Sequence, residues 1–229
     1  LIKHFTRFIC SKYLFIKCLF QFIFKAPAQL SYTSPIGEIR NITLPDGSEV
    51  VLNAESTLKF LESNWDEGRV VYLDGKAHFE VVKGSTFSVT TGEYKTSVLG
   101  TSFDVDHRYN HFAVYCYSGS VSITKKDEQI DLVAGEKAIM ESTHLIKAVL
   151  DDMSIERWIS GEFHFSSEPL NKVVDELQRQ FGIDVVGLRD DHRIYRGYFY
   201  KDNLTEALDL VFKPMGYDYK INGDVVTLK

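Results

Sequence analysis

Between Ile39 and about Leu150 apolar and polar residues alternate in short runs, broken about every 8–12 residues by Gly-centred turns. Ile42 and Leu44 share one face, PDGS at 45–48 turns the chain, and Val50 and Leu52 resume the same face. RVVYL at 69–73 and AHFEVV at 77–82 read as strands on either side of a turn at DGK, 74–76. FSVTT at 87–91, YKTSVLGTSFDV at 94–105, FAVYCY at 112–117, VSIT at 121–124, IDL at 130–132 and AIM at 138–140 continue the series. Such a row of strands predicts an all-β sandwich, roll or solenoid. The one helix candidate within it spans 55–62.

After Met153 the period changes. Leu170, Val173, Val174, Leu177 and Phe181 recur at helical spacing, with Pro169 suited to the first turn and Gly182 to the C-terminal cap. A second helix carries Leu204, Leu208, Val211 and Phe212, opened by Asn203 and Glu206 as a variant capping box and closed near PMG at 214–216. Strands are predicted at 162–165, 183–186, 196–200, 217–221 and 225–228, and NGD at 222–224 is a hairpin signal. The expected architecture is mainly β in two domains. A β domain at 31–150 is followed by a protease-sensitive linker at 151–160 and a β-α-β-β-α-β-β domain at 161–229.

Residues 1–30 fit neither pattern. FICSKYLFIKCLFQFIF, 8–24, would span roughly 25 Å as a helix, slightly short of a hydrocarbon core. Lys12 and Lys17 inside it would each cost about 2.5–3.5 kcal/mol at membrane depth unless they snorkel. The segment reads as a degenerate single-pass anchor or signal-anchor with a basic inner flank, as a leader, or as an amphipathic surface helix. The opening Leu1 suggests a fragment.

Charge divides along the same line. The chain has a net charge of −6, but its first 25 residues hold five basic residues and no acid, leaving −11 for the rest. An acidic body of that kind argues against nucleic-acid binding.

Catalytic signatures are missing from the sequence: there is no GxSxG, HExxH, Walker loop or GxGxxG. Cys10 and Cys18 lie in the leader, and Cys116 reads as a buried core thiol, so neither a disulfide nor a zinc cluster is expected in the body. His107 and His111 fall in the loop HRYNH, and RDDH at 189–192 reads as a solvated turn. Asp46 in the PDGS turn has a backbone role rather than that of a general base. Tyr195, Tyr198, Phe199, Tyr200, Tyr217 and Tyr219 offer a carbohydrate-stacking platform, although strand alternation turns half of each set inward. The expectation is no enzyme, no metal and no cofactor.

Particular motifs carry a resemblance. YTSPIGE at 32–38, TLPDGSEVVLNAESTL at 43–58, GKAHFEV at 75–81, VLGTSFDV at 98–105, GSVSI at 119–123 and LVAGEK at 132–137 follow one another in order. This segment resembles the periplasmic domain of FecR-type transmembrane anti-sigma factors, especially those of Bacteroidetes. The tail from Trp158, with FSSEPLNKVVDEL at 165–177, is similar to that family's C-terminal STN-like domain. The matching positions are Leu44, Pro45, Asp46, Gly47, Ser48, Leu52, Asn53, Gly75, Phe79, Glu80, Val81, Leu99, Gly100, Thr101, Phe103, Val105, Gly119, Val121, Gly135 and Glu136. They are fold-determining positions: Gly47 takes positive φ, Gly100 permits a close strand passage, and Gly119 and Gly135 end strands.

The resemblance implies a roll- or solenoid-like β domain and signal transfer at an inner membrane. A TonB-dependent outer-membrane transporter, loaded with an iron chelate or glycan, would extend its signalling domain into the periplasm. The C-terminal domain at 161–229 would receive it, and an extracytoplasmic-function sigma factor would be controlled in turn. The family's cytoplasmic sigma-binding domain has no counterpart in this sequence, and Lys76, His78 and Asp104 depart from the usual residues. The competing expectation is a carbohydrate-binding or other extracytoplasmic interaction module.

Overall fold

A computed structural model describes residues 29–65, 68–108, 111–150, 157–189 and 193–229. The anchor candidate at 8–24, Cys10, Cys18, residues 151–156 of the linker and 190–192 of RDDH lie outside the described residues. No helix among the described residues is long and apolar enough to cross a membrane.

Among the described residues the alternation becomes thirteen strands in the first domain. They are β1 (Gln29–Ser34), β2 (Arg40–Thr43), β3 (Glu49–Leu52), β4 (Ser56–Leu61), β5 (Arg69–Glu80), β6 (Phe87–Thr91) and β7 (Tyr94–Val98). The series goes on through β8 (Ser102–Arg108), β9 (His111–Ser118), β10 (Ser120–Lys125), β11 (Glu128–Val133), β12 (Glu136–Glu141) and β13 (His144–Val149). The first strand starts at Gln29, two residues inside the stretch set aside as leader.

One strand serves two sheets. The first half of β5 pairs antiparallel with β4 and parallel with β6, and its second half pairs antiparallel with β3 and β8. The first sheet thus runs β1-β4-β5-β6-β7-β10-β11 and the second β2-β3-β5-β8-β9-β12-β13. On the far side the edges approach each other, where Lys147 Nζ of β13 donates to Asp131 O of β11 at 2.9 Å. The result is a nearly closed roll.

Three local expectations are corrected. DGK at 74–76 is no reversal, because the strand runs on through it and only bends at Gly75, φ +106. A Cβ there would lie 2.9 Å from Ser56 Cα, so only glycine lets β4 pass so close. The helix candidate at 55–62 is β4, since Ser56, Leu58 and Phe60 alternate inward at period two, leaving one 3₁₀ turn at Glu62–Asn64. The stretch 94–105 is two strands in different sheets, with Leu99–Thr101 carrying the chain across.

The core fills the space between the sheets. Phe60, Val71, Phe87 and Val89 face Leu52, Phe79, Phe103, Val105 and Phe112, all buried, and Phe79 stacks on Phe103 at 5.1 Å. Each such side chain contributes about 1.5–3 kcal/mol of hydrophobic burial.

The second domain follows the predicted order: β14 (Glu162–Pro169), α1 (Leu170–Phe181), β15 (Asp184–Val186), β16 (Ile194–Tyr200), α2 (Leu204–Phe212), β17 (Tyr219–Asn222) and β18 (Val225–Leu228). Pro169 occupies the N-cap of α1 and Gly182 its C-cap at φ +64, donating to Gln178 O. Asn203 caps α2 by accepting from Glu206 N at 3.2 Å. β14 pairs with β16, while β18 lies between parallel β15 and antiparallel β17. Leu170, Val173 and Leu177 of α1 and Leu208, Val211 and Phe212 of α2 join Phe163, Phe199 and Trp158 in a separate core.

Candidate functional site

The motif positions are scattered through the β domain rather than gathered at a site. In LPDGS, Leu44 N donates to Ser48 O at 2.8 Å and Gly47, at φ +83, donates to Leu44 O. Asp46 accepts from Ser48 N, from Ser48 Oγ and from Arg69 Nη1, the last at 2.8 Å. Arg69 is buried and also donates to Val82 O and Ser85 O. Burial works to raise the Asp46 carboxyl, but the Arg69 guanidinium and the Ser48 hydrogen bonds outweigh it and hold it below its ordinary value. Asp46 is therefore the counter-charge of a buried arginine. Arg69 lies 23 residues away in sequence and reads there only as a strand-opening polar residue.

Gly100 and Gly119 mark a crossing of chains. A Cβ on Gly100 would stand 2.7 Å from Lys83 Cα, and one on Gly119 would stand 2.8 Å from Gly100 O. Thr101 Oγ1 secures the crossing by donating to Ser120 O. Leu44, Leu52, Phe79, Val81, Phe103, Val105 and Val121 are core residues, while Leu99 is exposed. Gly135 donates to Cys116 O, and Glu136 accepts from Val133 N and Lys147 Nζ. Pro45 and Glu80 are exposed at the turn and on the outer face of β5.

The residues weighed for chemistry are dispersed as well. His107 packs edge-on against Tyr94 and Phe112. Cys116 is fully buried, and burial pushes its thiol up to about 11. Among the described residues no three His, Cys, Asp or Glu side chains stand close enough to hold a metal ion. Tyr195, Phe199 and Tyr217 are buried and Tyr219 is half-buried. Tyr198 and Tyr200 face outward, with Tyr198 stacked on His164 at 5.4 Å.

The polar side chains that do converge sit where the two domains meet. The outward face of the second sheet is roofed by the C-terminal domain. His78 and Asp104 are direct cross-strand partners on that face, both buried, and hydrogen-bond at 2.7 Å. Asp104 also accepts from Tyr117 OH at 3.2 Å and from Trp158 Nε1 at 2.9 Å, and Lys76 lies over the Trp158 ring.

A second cluster centres on Glu176 of α1. Its Oε2 meets Arg108 Nη1 of β8 at 3.0 Å and Arg179 Nη1 at 2.6 Å. Its Oε1 accepts from Gln180 Nε2 at 2.8 Å and Asn53 Nδ2 at 3.3 Å. Arg108 continues to Ala54 O, Gln180 to Asn53 Oδ1 and Arg179 Nε to Glu55. Burial acts to raise the Glu176 carboxyl, yet Arg108 and Arg179 overcome it and hold it at about 2. Backbone joins as well, Gly37 N donating to Arg179 O at 2.9 Å, while Ile39 and Val51 pack on the C-terminal core.

Away from this junction the C-terminal domain presents strand edges. Among the described residues β17 pairs only with β18, and β14 and β16 only with each other. The outer edge of β15 is blocked, since Gln178 Oε1 accepts from Val185 N at 2.8 Å.

Comparison with known proteins gives the following. Residues 31–122 match the family model described as FecR protein, and residues 162–228 match the one described as FecR, C-terminal. Together the two cover about two thirds of the chain. Two crystal structures from Parabacteroides distasonis ATCC 8503, each described provisionally as an anti-sigma factor, share the fold at TM-scores of 0.79 and 0.80. Each is 24% identical over 88% and 87% of this chain respectively, and 98% of the other chain is covered in both cases. No curated protein matches.

Proposed function

We propose that this chain, which belongs to the FecR family through both of its domains, is the signal-relay portion of an anti-sigma regulator. One observation carries the reading: a FecR domain and a FecR C-terminal domain follow in order and are seated on one another through specific polar contacts. Solved structures of the same overall fold bear a provisional anti-sigma description, which agrees with it. The motif residues build the β scaffold, which agrees with a chain that works by binding.

In this reading the receiving surface belongs to 161–229 and the region lies in the periplasm, held at the inner membrane through 8–24. The incoming partner is the signalling domain of a TonB-dependent outer-membrane transporter. Docking or strand addition on the open edge of β17 or of the β14–β16 pair suits such a partner. The message then passes to an extracytoplasmic-function sigma factor through a cytoplasmic segment.

Calorimetric titration of the chain with the signalling domain of the transporter encoded beside it tests the proposal. A saturable complex is expected, and heats no larger than dilution would sink it. A second reading, a glycan-binding module, rests on outward Tyr198 and Tyr200 beside His164. Glycan-array binding that disappears in Tyr198→Ala would favour that reading instead.

A further inference from the structure

The surface where the two domains meet is unusual in its chemistry. Each domain has its own apolar core, and Ile39 and Val51 are the half-buried apolar residues that the β domain lends to the second one. Beside them lies the buried Trp158 ring, covered by Lys76 and bonded to Asp104, and around these runs a set of hydrogen bonds and ion pairs, several of them buried. α1 buries Arg179 and Gln180 against the β domain, although they lie outside its apolar stripe.

The charges are interleaved rather than segregated. Arg108 of the β domain meets Glu176 of the C-terminal domain, and Arg179 of the C-terminal domain meets Glu55 of the β domain. Four donors converge on one carboxylate, so Glu176 closes the whole cluster. The satisfaction is incomplete: Arg108 Nε and Gln180 Oε1 are buried with no hydrogen-bond partner among the described residues.

These features distinguish a joint from a weld. Apolar surface sticks wherever it is buried and resists separation in water, whereas paired polar groups can return to water with little net loss. Ion pairs in an interior hold orientation well, because only one arrangement satisfies them, and they add little net stability over apolar packing. Polar interfaces between domains permit relative motion by default.

We infer that the C-terminal domain is docked on the β domain through a reversible, charge-closed joint whose keystone is Glu176. Opening the joint is a motion that breaks the Glu176 and Asp104 clusters and leaves both cores folded. The docked arrangement is the closed state. The opened state uncovers the outward face of the second sheet, with His78, Asp104 and Arg108, together with the polar face of α1. This inference concerns the chain alone and stands whatever partner the C-terminal domain receives.

Hydrogen exchange followed by mass spectrometry on the full chain tests it. In the unaltered protein, amides at 36–38, where Gly37 N is bonded across the junction to Arg179 O, and at 53–56 should exchange at least tenfold faster than those of β5 and the middle of α1. Glu176→Gln, and separately Arg108→Gln, should accelerate the junction amides by a further tenfold or more. Segments 87–98 and 204–212 should be unaffected, and the radius of gyration in solution scattering should rise. Trp158→Phe, which removes one hydrogen bond to Asp104, should act in the same direction more weakly, and Lys213→Gln, at an exposed ion pair with Asp209 on α2, should change nothing. Junction amides as slow as those of β5 in both the unaltered chain and Glu176→Gln would overturn the inference. So would Glu176→Gln or Arg108→Gln accelerating exchange equally through both cores, which would make the cluster an ordinary part of a single folding unit.

Discussion

Glu176 and Asp46 are two buried-side carboxylates with the same electrostatic logic and different tasks. Each is opposed by burial and more than compensated by arginine, so each has a folded-state value below its ordinary one. A carboxylate so depressed contributes stability in full above its unfolded value, 4.5 for Glu176, and loses it as pH falls toward the folded value of about 2. The charges facing Glu176 are Arg108 on β8, Lys76 on β5 and Arg179 on its own helix, with Asp175 beside it on α1 and Glu55 reached through Arg179. An acid titration of unfolding free energy should therefore steepen below about pH 4.5, and the slope should flatten in Glu176→Gln; an unchanged slope would show that the cluster adds nothing. Asp46→Ala leaves the Arg69 guanidinium buried without its counter-charge and should cost about 3 kcal/mol in chemical denaturation. Arg69 keeps the Val82 and Ser85 carbonyls, which places the loss at the lower end of the range for a broken buried pair.

At the scale of elements, much of the fold was legible, and the failures have particular causes. The two helices of the C-terminal domain, their caps at Gly182 and Asn203 and the hairpin at 222–224 all follow from local chemistry, and the structure has them. A DG pair between alternating runs signals reversal, but Gly75 serves a bend instead, because Ser56 on β4 passes where its side chain would be. That fact is set 19 residues away and no local reading contains it. The junction was hidden for a related reason. Glu176, Arg179 and Gln180 stand on the polar side of an amphipathic helix, where pattern alone assigns water, and only the tertiary seat on the β3–β4 turn and β8 makes that side interior. Gly75→Ala would force both the backbone at φ +106 and the passage of β4, so its midpoint in denaturant should fall by the equivalent of about 2–4 kcal/mol. A loss under 1 kcal/mol would mean the strand can bend elsewhere.

At the scale of the molecule, two cores share one acidic chain and meet through charges. Calorimetry at neutral pH is expected to show the cores melting together or nearly so, and Glu176→Gln to separate them into two resolved transitions. Coincident melting in the variant would show that Ile39, Val51 and the Trp158 contact suffice to couple them. The shared strand gives the β domain a mechanical character. The C-terminal domain is seated on the second sheet, whereas the strand nearest the N-terminal segment, β1, lies at the edge of the first. Tension applied between those two places has its shortest route along β5, through the hydrogen bonds to β4 on one side of Gly75 and to β3 and β8 on the other. Those bonds are perpendicular to the strand, so a pull along it loads them in shear, all together, and the domain passes force from one end to the other with little stretch.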